Sequence, residues 1–151
     1  MKKYLLLIRG CPGAGKSYYA RRVMKKFDCM FNGNIAYCSA DKYFINDAGV
    51  YTYNREKIGA AHEECKNKAA AAMLKGIDLV ILDNTNTTKK ELNPYIEMAN
   101  KYGYTVKYKV VGGASEEDIK KYAARNIHGV SEETIRKMAQ RLVSSLNSKE
   151  D

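Results

Sequence analysis

The stretch that most constrains this chain is "GCPGAGKS", Gly10 to Ser17, set between the short apolar run Tyr4–Arg9 and an amphipathic segment starting at Lys16. It fits G-x-x-x-x-G-K-[ST] at every position, and a strand before it with a helix after it is the context that gives the pattern meaning. Gly10, Gly13 and Gly15 allow successive N–H groups to curl around a phosphate chain, while the helix that follows adds a favourable dipole. The expected ligand is a nucleoside triphosphate, contacted by Gly10, Cys11, Pro12, Gly13, Ala14, Gly15, Lys16 and Ser17, with Tyr18 next in line. Lys16 would reach the β- and γ-phosphates, and Ser17 would ligate Mg²⁺.

The remaining chain alternates strand and helix signals. Ala20, Val23, Met24 and Phe27 fall on one helical face. "NIAYCSA" (Asn34–Ala40) reads as a second strand ending at Asp41, and a polar, tyrosine-rich loop follows. Ile58, Ala61, His62, Cys65, Ala69, Ala72 and Met73 trace a long helical stripe up to Gly76. "DLVILD" (Asp78–Asp83) is another buried strand. Thr88–Tyr102 reads as a helix with Thr88 and Glu91 as a capping box and Gly103 as terminator. Pro94 fits poorly there unless the helix begins with Asn93 as cap and proline at its first position.

"YTVKYKVV" (Tyr104–Val111) alternates apolar and polar residues, so it is expected near a sheet edge. Ser115 with Asp118, then Ser131, open two closing helices, the second striped by Ile135, Met138, Ala139, Leu142 and Leu146. This order predicts an α/β fold: a parallel sheet of about four to five strands flanked by helices. A chain of 151 residues fits one compact domain. Ligands in such sheets bind at the carboxyl ends of the strands, where the glycine loop, Asp41 and Asp83 all fall.

Composition excludes several classes. The longest apolar run, Tyr4–Ile8, is far too short to cross a bilayer. Met1-Lys2-Lys3 begins like a secretory signal, but its apolar segment runs into Arg9 and glycine without a cleavage-type site, so a cytoplasmic protein with no membrane partner is expected. Cys11, Cys29, Cys38 and Cys65 are irregularly spaced, which disfavours a zinc site or a disulfide framework. The net charge of +9 would attract nucleic acid or phosphorylated substrates, although lysines scattered by composition bias give the same number.

Nine further residues carry candidate chemistry. Asp41, at a strand end beside the γ-phosphate, is placed to act as general base toward an acceptor hydroxyl, or else to cap a turn. Asp83 could hold a Mg²⁺-bound water or orient the acceptor, and Asn86 offers an amide at the same edge; alternatively this polar run makes a turn. His62 lies on the apolar stripe, either as a satisfied core histidine or as a cleft residue near the acceptor. Tyr43 and Phe44, with Tyr51 and Tyr53, could stack a base of the acceptor or simply pack. Arg125 belongs to a segment that would close on the nucleotide and stabilise charge on the transferred phosphoryl group, unless it is a plain surface arginine.

Together, the Walker loop, "SADKYF", "GVYTYN", "AHEEC", "ILDNTN", "GYTVKY" and "RNIHGVSEETIRKM" resemble the kinase domain of phage-type 5′-polynucleotide kinases and the eukaryotic polynucleotide-kinase-like P-loop proteins. The resemblance covers nearly the whole chain. It implies a single P-loop kinase domain over residues 1–151, a helical lid at about 115–131, and ATP and Mg²⁺ as cofactors. It implies γ-phosphate transfer to a hydroxyl, with Asp41 as base, Lys16 and Ser17 on phosphate and metal, and Arg125 as lid arginine. A 5′-hydroxyl polynucleotide is the expected substrate; a small hydroxyl-bearing metabolite, or a nucleotide-binding adaptor without turnover, are the alternatives. The phage-type enzymes place an arginine three residues after the base, where this chain has Phe44, and a second lid arginine where it has Ile127 and His128. They also carry a C-terminal phosphatase domain, for which 151 residues are expected to leave no room.

Overall fold

The computed structural model describes residues 2–31, 34–126 and 129–148. Strands β1 (Tyr4–Arg9), β2 (Ile35–Cys38), β3 (Leu79–Asp83) and β4 (Thr105–Val110) alternate with helices α1 (Lys16–Phe31), α2 (Ile58–Leu74) and α3 (Lys89–Tyr102), and α4 (Glu116–Arg125) and α5 (Glu132–Asn147) follow. Two 3₁₀ turns, Ala40–Phe44 and Arg55–Lys57, bracket the tyrosine-rich loop between β2 and α2. The sheet order is β2-β3-β1-β4 and every pairing is parallel. As the alternating pattern of "YTVKYKVV" predicts, β4 is an edge strand.

Strand periodicity divides the core into two layers. Leu5 and Leu7 of β1 pack with Val80 and Leu82 of β3 against α2 and α3, while Leu6 and Ile8 pack with Leu79 and Ile81 against α1. The chain order explains which helix lies where. The β1-to-β2 connection crosses the sheet in one direction, whereas β2-to-β3 and β3-to-β4 cross in the other. Right-handed crossovers of opposite direction must lie on opposite faces, so α1 covers one face and α2 with α3 the other. The connections leaving β1 and β3, neighbouring strands, therefore part to opposite sides. A crevice opens between their carboxyl ends.

A third cluster sits beyond that edge, where Cys11 and Ala14 of the glycine loop pack on Ile119 and Tyr122 of α4 and Ile135 and Ala139 of α5. Arg9, only 4% exposed at the end of β1, is also committed to the fold. Its Nε donates to the Asn86 carbonyl (2.7 Å) and its Nη2 to the Ser145 hydroxyl (2.9 Å), joining β1, the β3–α3 turn and α5. Burial lowers its pKa from the usual guanidinium value.

Four details depart from expectation. Thr88 does cap α3, accepting from Glu91 N (3.3 Å), but the Glu91 carboxylate turns to Thr87, taking its N–H (3.2 Å) and hydroxyl (3.1 Å). Pro94 lies inside α3 rather than at its start. The carbonyl it leaves without a helical partner is that of Lys90, which is exposed and can turn to water. His62 is exposed, not on the buried stripe. That stripe is Ala61, Cys65, Ala69, Ala72 and Met73, and a residue one step from Ala61 points about 100° away. Leu146 of α5 is likewise 48% exposed, although Ile135, Ala139 and Leu142 are buried as predicted.

Candidate active site

The glycine loop leaves β1 in a conformation that its residues dictate. Gly13 and Gly15 take φ of +83° and +100°, a region costly for any side chain. Gly10 donates its N–H to the Thr85 carbonyl (3.1 Å), and Ala14 N–H closes back on Cys11 O (3.1 Å). The loop thus curls into the first turn of α1, with that helix's amino end aimed at its concave side, an arrangement suited to anions. The Lys16 ammonium donates to Cys11 O (2.9 Å). Burial lowers the Lys16 pKa, and Asp83 and then Asp41 oppose the shift. That both carboxylates act on Lys16 places the three groups together at one edge of the sheet. The Cys11 thiol is pushed up by burial and so stays protonated at neutral pH.

Asp83 ends β3 and is 4% exposed. Its Oδ2 accepts from the Ser17 hydroxyl (3.2 Å) and from the Tyr37 hydroxyl of β2. Burial and the Asp83 charge together raise the Tyr37 phenol well above its usual range, so it acts as a donor. Asn84, the next residue, accepts Ala40 N–H on Oδ1 (2.9 Å) and donates Nδ2 to the Cys65 thiol (3.6 Å). It ties the end of β3 to the 3₁₀ turn carrying Asp41. Ser39 caps that turn by accepting from Asp41 N (3.3 Å), leaving Asp41 exposed at the crevice.

On the other side, Arg125 at the end of α4 donates Nε to the Gly13 carbonyl (2.7 Å), with its guanidinium 5.5 Å from the Tyr122 ring centroid. A Cβ on Gly13 would lie 2.7 Å from the Tyr122 carbonyl oxygen, so α4 sits directly on the glycine loop. Ile127 and His128, just beyond, lie outside the described residues. Tyr18 is 61% exposed on α1, with Arg22 stacked 5.9 Å from its ring centroid.

Among the described residues no group of three or more His, Cys, Asp or Glu is placed to hold a metal by itself. Ser17 and Asp83 nevertheless offer hard oxygens 3.2 Å apart beside the phosphate loop. Such a sparse donor set fits Mg²⁺, which keeps several waters and takes its other ligands from phosphate.

The structure thus gathers Lys16, Ser17, Asp41, Asp83 and Arg125 around the crevice and places two expected acceptor residues elsewhere. Phe44 is 5% exposed and belongs to the core, because the 3₁₀ turn rolls it inward among Ala40, Ala61 and Cys65. Asn86 is 2% exposed at φ +47°, its amide donating to the Ile8 carbonyl (2.8 Å). It locks β3 to β1. Tyr43 stays partly exposed at 37%. Sequence reasoning missed Tyr37 and Tyr122 as organisers of the site, and read Asn84 only as one of a run of polar side chains at the strand edge or in a turn. Asn84 had a signal in its place beside a strand-end carboxylate; the pairing of Tyr37 with Asp83 bridges two strands and has no local signature.

Comparison with known proteins gives a consistent setting. The AAA_33 family (AAA domain) matches residues 5–144. Human NEDD4-binding protein 2 is 38% identical over 125 residues, 83% of this chain, which spans only 7% of that relative's length. Among solved structures, the Pnkp1/Rnl/Hen1 RNA repair complex matches 99% of this chain and 47% of its own at 18% identity, with a TM-score of 0.74. Chaetomium thermophilum Kti12 in complex with ADP-AlF3 matches 93% of this chain and 79% of its own at 22% identity, with a TM-score of 0.56.

Proposed function

Because this chain belongs to the AAA_33 family of AAA domains, we propose that it transfers the γ-phosphate of ATP to a hydroxyl acceptor, the 5′-hydroxyl of RNA or DNA. Its architecture is the kinase-like P-loop fold. The observation that carries the reading is the convergence of Lys16, Asp83 and Asp41. A nucleotide-holding module needs the lysine and the hydroxyl. It has no use for a second carboxylate on a separate turn beside the phosphate loop.

In this reading the loop N–H groups and Lys16 hold the triphosphate, and Arg125 closes over it from α4. Ser17 and Asp83 would hold Mg²⁺, which when bound would supply charge neutralisation at the phosphates. Asp41 accepts the acceptor's proton as its oxygen bonds to the γ-phosphorus and the bond to the ADP oxygen breaks. Lys16 and Arg125 stabilise the charge that spreads over the transferred group. Residues 1–151 act as one unit, with the segment from about 115 to 131 as its lid. The setting is the cytoplasm, where ATP is available; among the described residues no helix is long and apolar enough to cross a membrane.

Phe44 favours a second reading. Where an acceptor phosphate could be anchored by a cation, this chain buries a phenyl ring, which suits a small acceptor such as a nucleoside or sugar. Incubation with γ-labelled ATP and a panel of 5′-hydroxyl RNA, DNA, nucleosides and sugars separates the two, with Asp41→Asn as control. Label on oligonucleotides supports the first reading and label confined to small molecules the second. Tight ATP binding without transfer to any acceptor would sink both in favour of an adaptor.

A further inference from the structure

The loop between Asp41 and Arg55 carries an unusual surface. Tyr43 (37%), Ile45 (47%), Val50 (54%) and Tyr53 (49%) are all substantially exposed along one short segment. The segment is held by its own contacts. Phe44, within it, is the anchor. Its buried ring meets Tyr43 edge-on at 5.3 Å, Tyr51 at 6.1 Å and Tyr53 at 5.1 Å. The Phe44 carbonyl accepts Thr52 N–H (2.7 Å), Ile45 bridges Tyr51 in antiparallel fashion, and Asn46 binds Val50 through both its backbone and its side chain. The two exposed tyrosines are therefore preorganised, and preorganised aromatic surface binds without a large ordering cost.

This surface adjoins the candidate base. Tyr43 lies two residues from Asp41 on the same 3₁₀ turn, and burial, then Asp41, then Tyr53 push the Tyr51 phenol up to about 12. Lys42, Arg55 and Lys57 are matched by Asp41, Asp47 and Glu56, so the segment itself is close to neutral, and the attraction for a phosphodiester chain comes from the net charge of +9 of the whole chain.

We propose that Tyr43 and Tyr53 form a stacking platform for the terminal bases of a single-stranded polynucleotide whose 5′-hydroxyl lies at Asp41. The proposal rests on the hydroxyl-transfer reading of Asp41. It assigns Phe44 a positioning role: the residue holds the rings that touch the acceptor and does not touch it itself. Stacking uses a face that every base has, so the platform tolerates any terminal sequence.

The test is equilibrium binding of a fluorescein-labelled 5′-hydroxyl single strand, followed by anisotropy, beside label transfer from γ-labelled ATP. Replacing the two 5′-terminal bases by abasic sites is expected to weaken binding by about tenfold or more. Tyr43→Leu and Tyr53→Leu should each weaken the intact strand severalfold and leave the abasic strand unchanged. Tyr108→Leu on β4, 55% exposed and far along the sheet edge, should alter neither. Equal affinity for intact and abasic strands, or no measurable binding, overturns the platform, as it would if this surface docked a protein. Base-dependent binding without label transfer keeps the platform and refutes the kinase reading instead.

Discussion

Asn84→Ala offers the sharpest test of how the site is built. The side-chain oxygen accepts the Ala40 N–H at 2.9 Å, and Ala40 is 6% exposed, so water cannot readily take the place of the lost acceptor. A buried donor left without its partner costs about 1–3 kcal/mol. For a chain of this size each kcal/mol lowers Tm by roughly 2–4 °C, giving an expected drop of about 2–12 °C. Asn34 provides an internal comparison: its side chain accepts Asp78 N–H at 2.8 Å, nearly the same bond, but at an exposed position at the amino ends of β2 and β3. There water can step in, so Asn34→Ala should cost under about 1 kcal/mol. Asn84→Ala also unties the turn bearing Asp41, so phosphotransfer should fall while ATP affinity, measured by calorimetry, stays near the parent value. If both variants melt alike, or if ATP affinity falls as far as the rate, Asn84 does not act as argued.

Other expectations concern single groups. Lys16→Ala should abolish turnover, and Asp41→Asn should lower the rate by about 10²–10⁴ with ATP binding nearly intact, both read by label transfer and calorimetry. Gly13→Ala places a Cβ 2.7 Å from the Tyr122 carbonyl at φ +83°, so thermal melts should show at least the roughly 1–2 kcal/mol of the left-handed backbone. Burial raises the Cys38 thiol from 9.0 to about 11. The native state then keeps a proton that the unfolded chain releases. Stability from this group is constant below pH 9 and falls as pH rises toward 11, by up to about 3 kcal/mol. Urea midpoints at pH 8 and 10.5 should show a smaller alkaline loss in Cys38→Ala than in the parent.

Much of the architecture could be read from the chain because its signals are local. The run before the glycine loop, the run before Asp83 and the alternation of Tyr104–Val111 each marked a strand, and Ser115 with Asp118 forms the expected capping box. What escaped depended on distant partners. The alanine-rich α2 has so weak an apolar pattern that His62 could be assigned to its stripe, and only packing against the sheet sets the true face. Phe44 sits in a polar loop, where nothing nearby says that its ring turns inward. Pro94 broke a rule of helix interiors at a place where Lys90, the residue whose carbonyl is at stake, is exposed. The strand order, which opens the crevice between β1 and β3, is written in no single segment.

Arg9 gives the molecule a mechanical property that its secondary structure does not suggest. Its guanidinium grips Ser145 near the end of α5 and the turn after β3, while its backbone leads straight into the glycine loop. The final turns of α5 therefore work as a latch on the nucleotide's seat rather than as a trailing tail. A break in α5 ahead of Ser145 would loosen phosphate binding at the far end of β1, and tension applied along α5 would be delivered to the same strand.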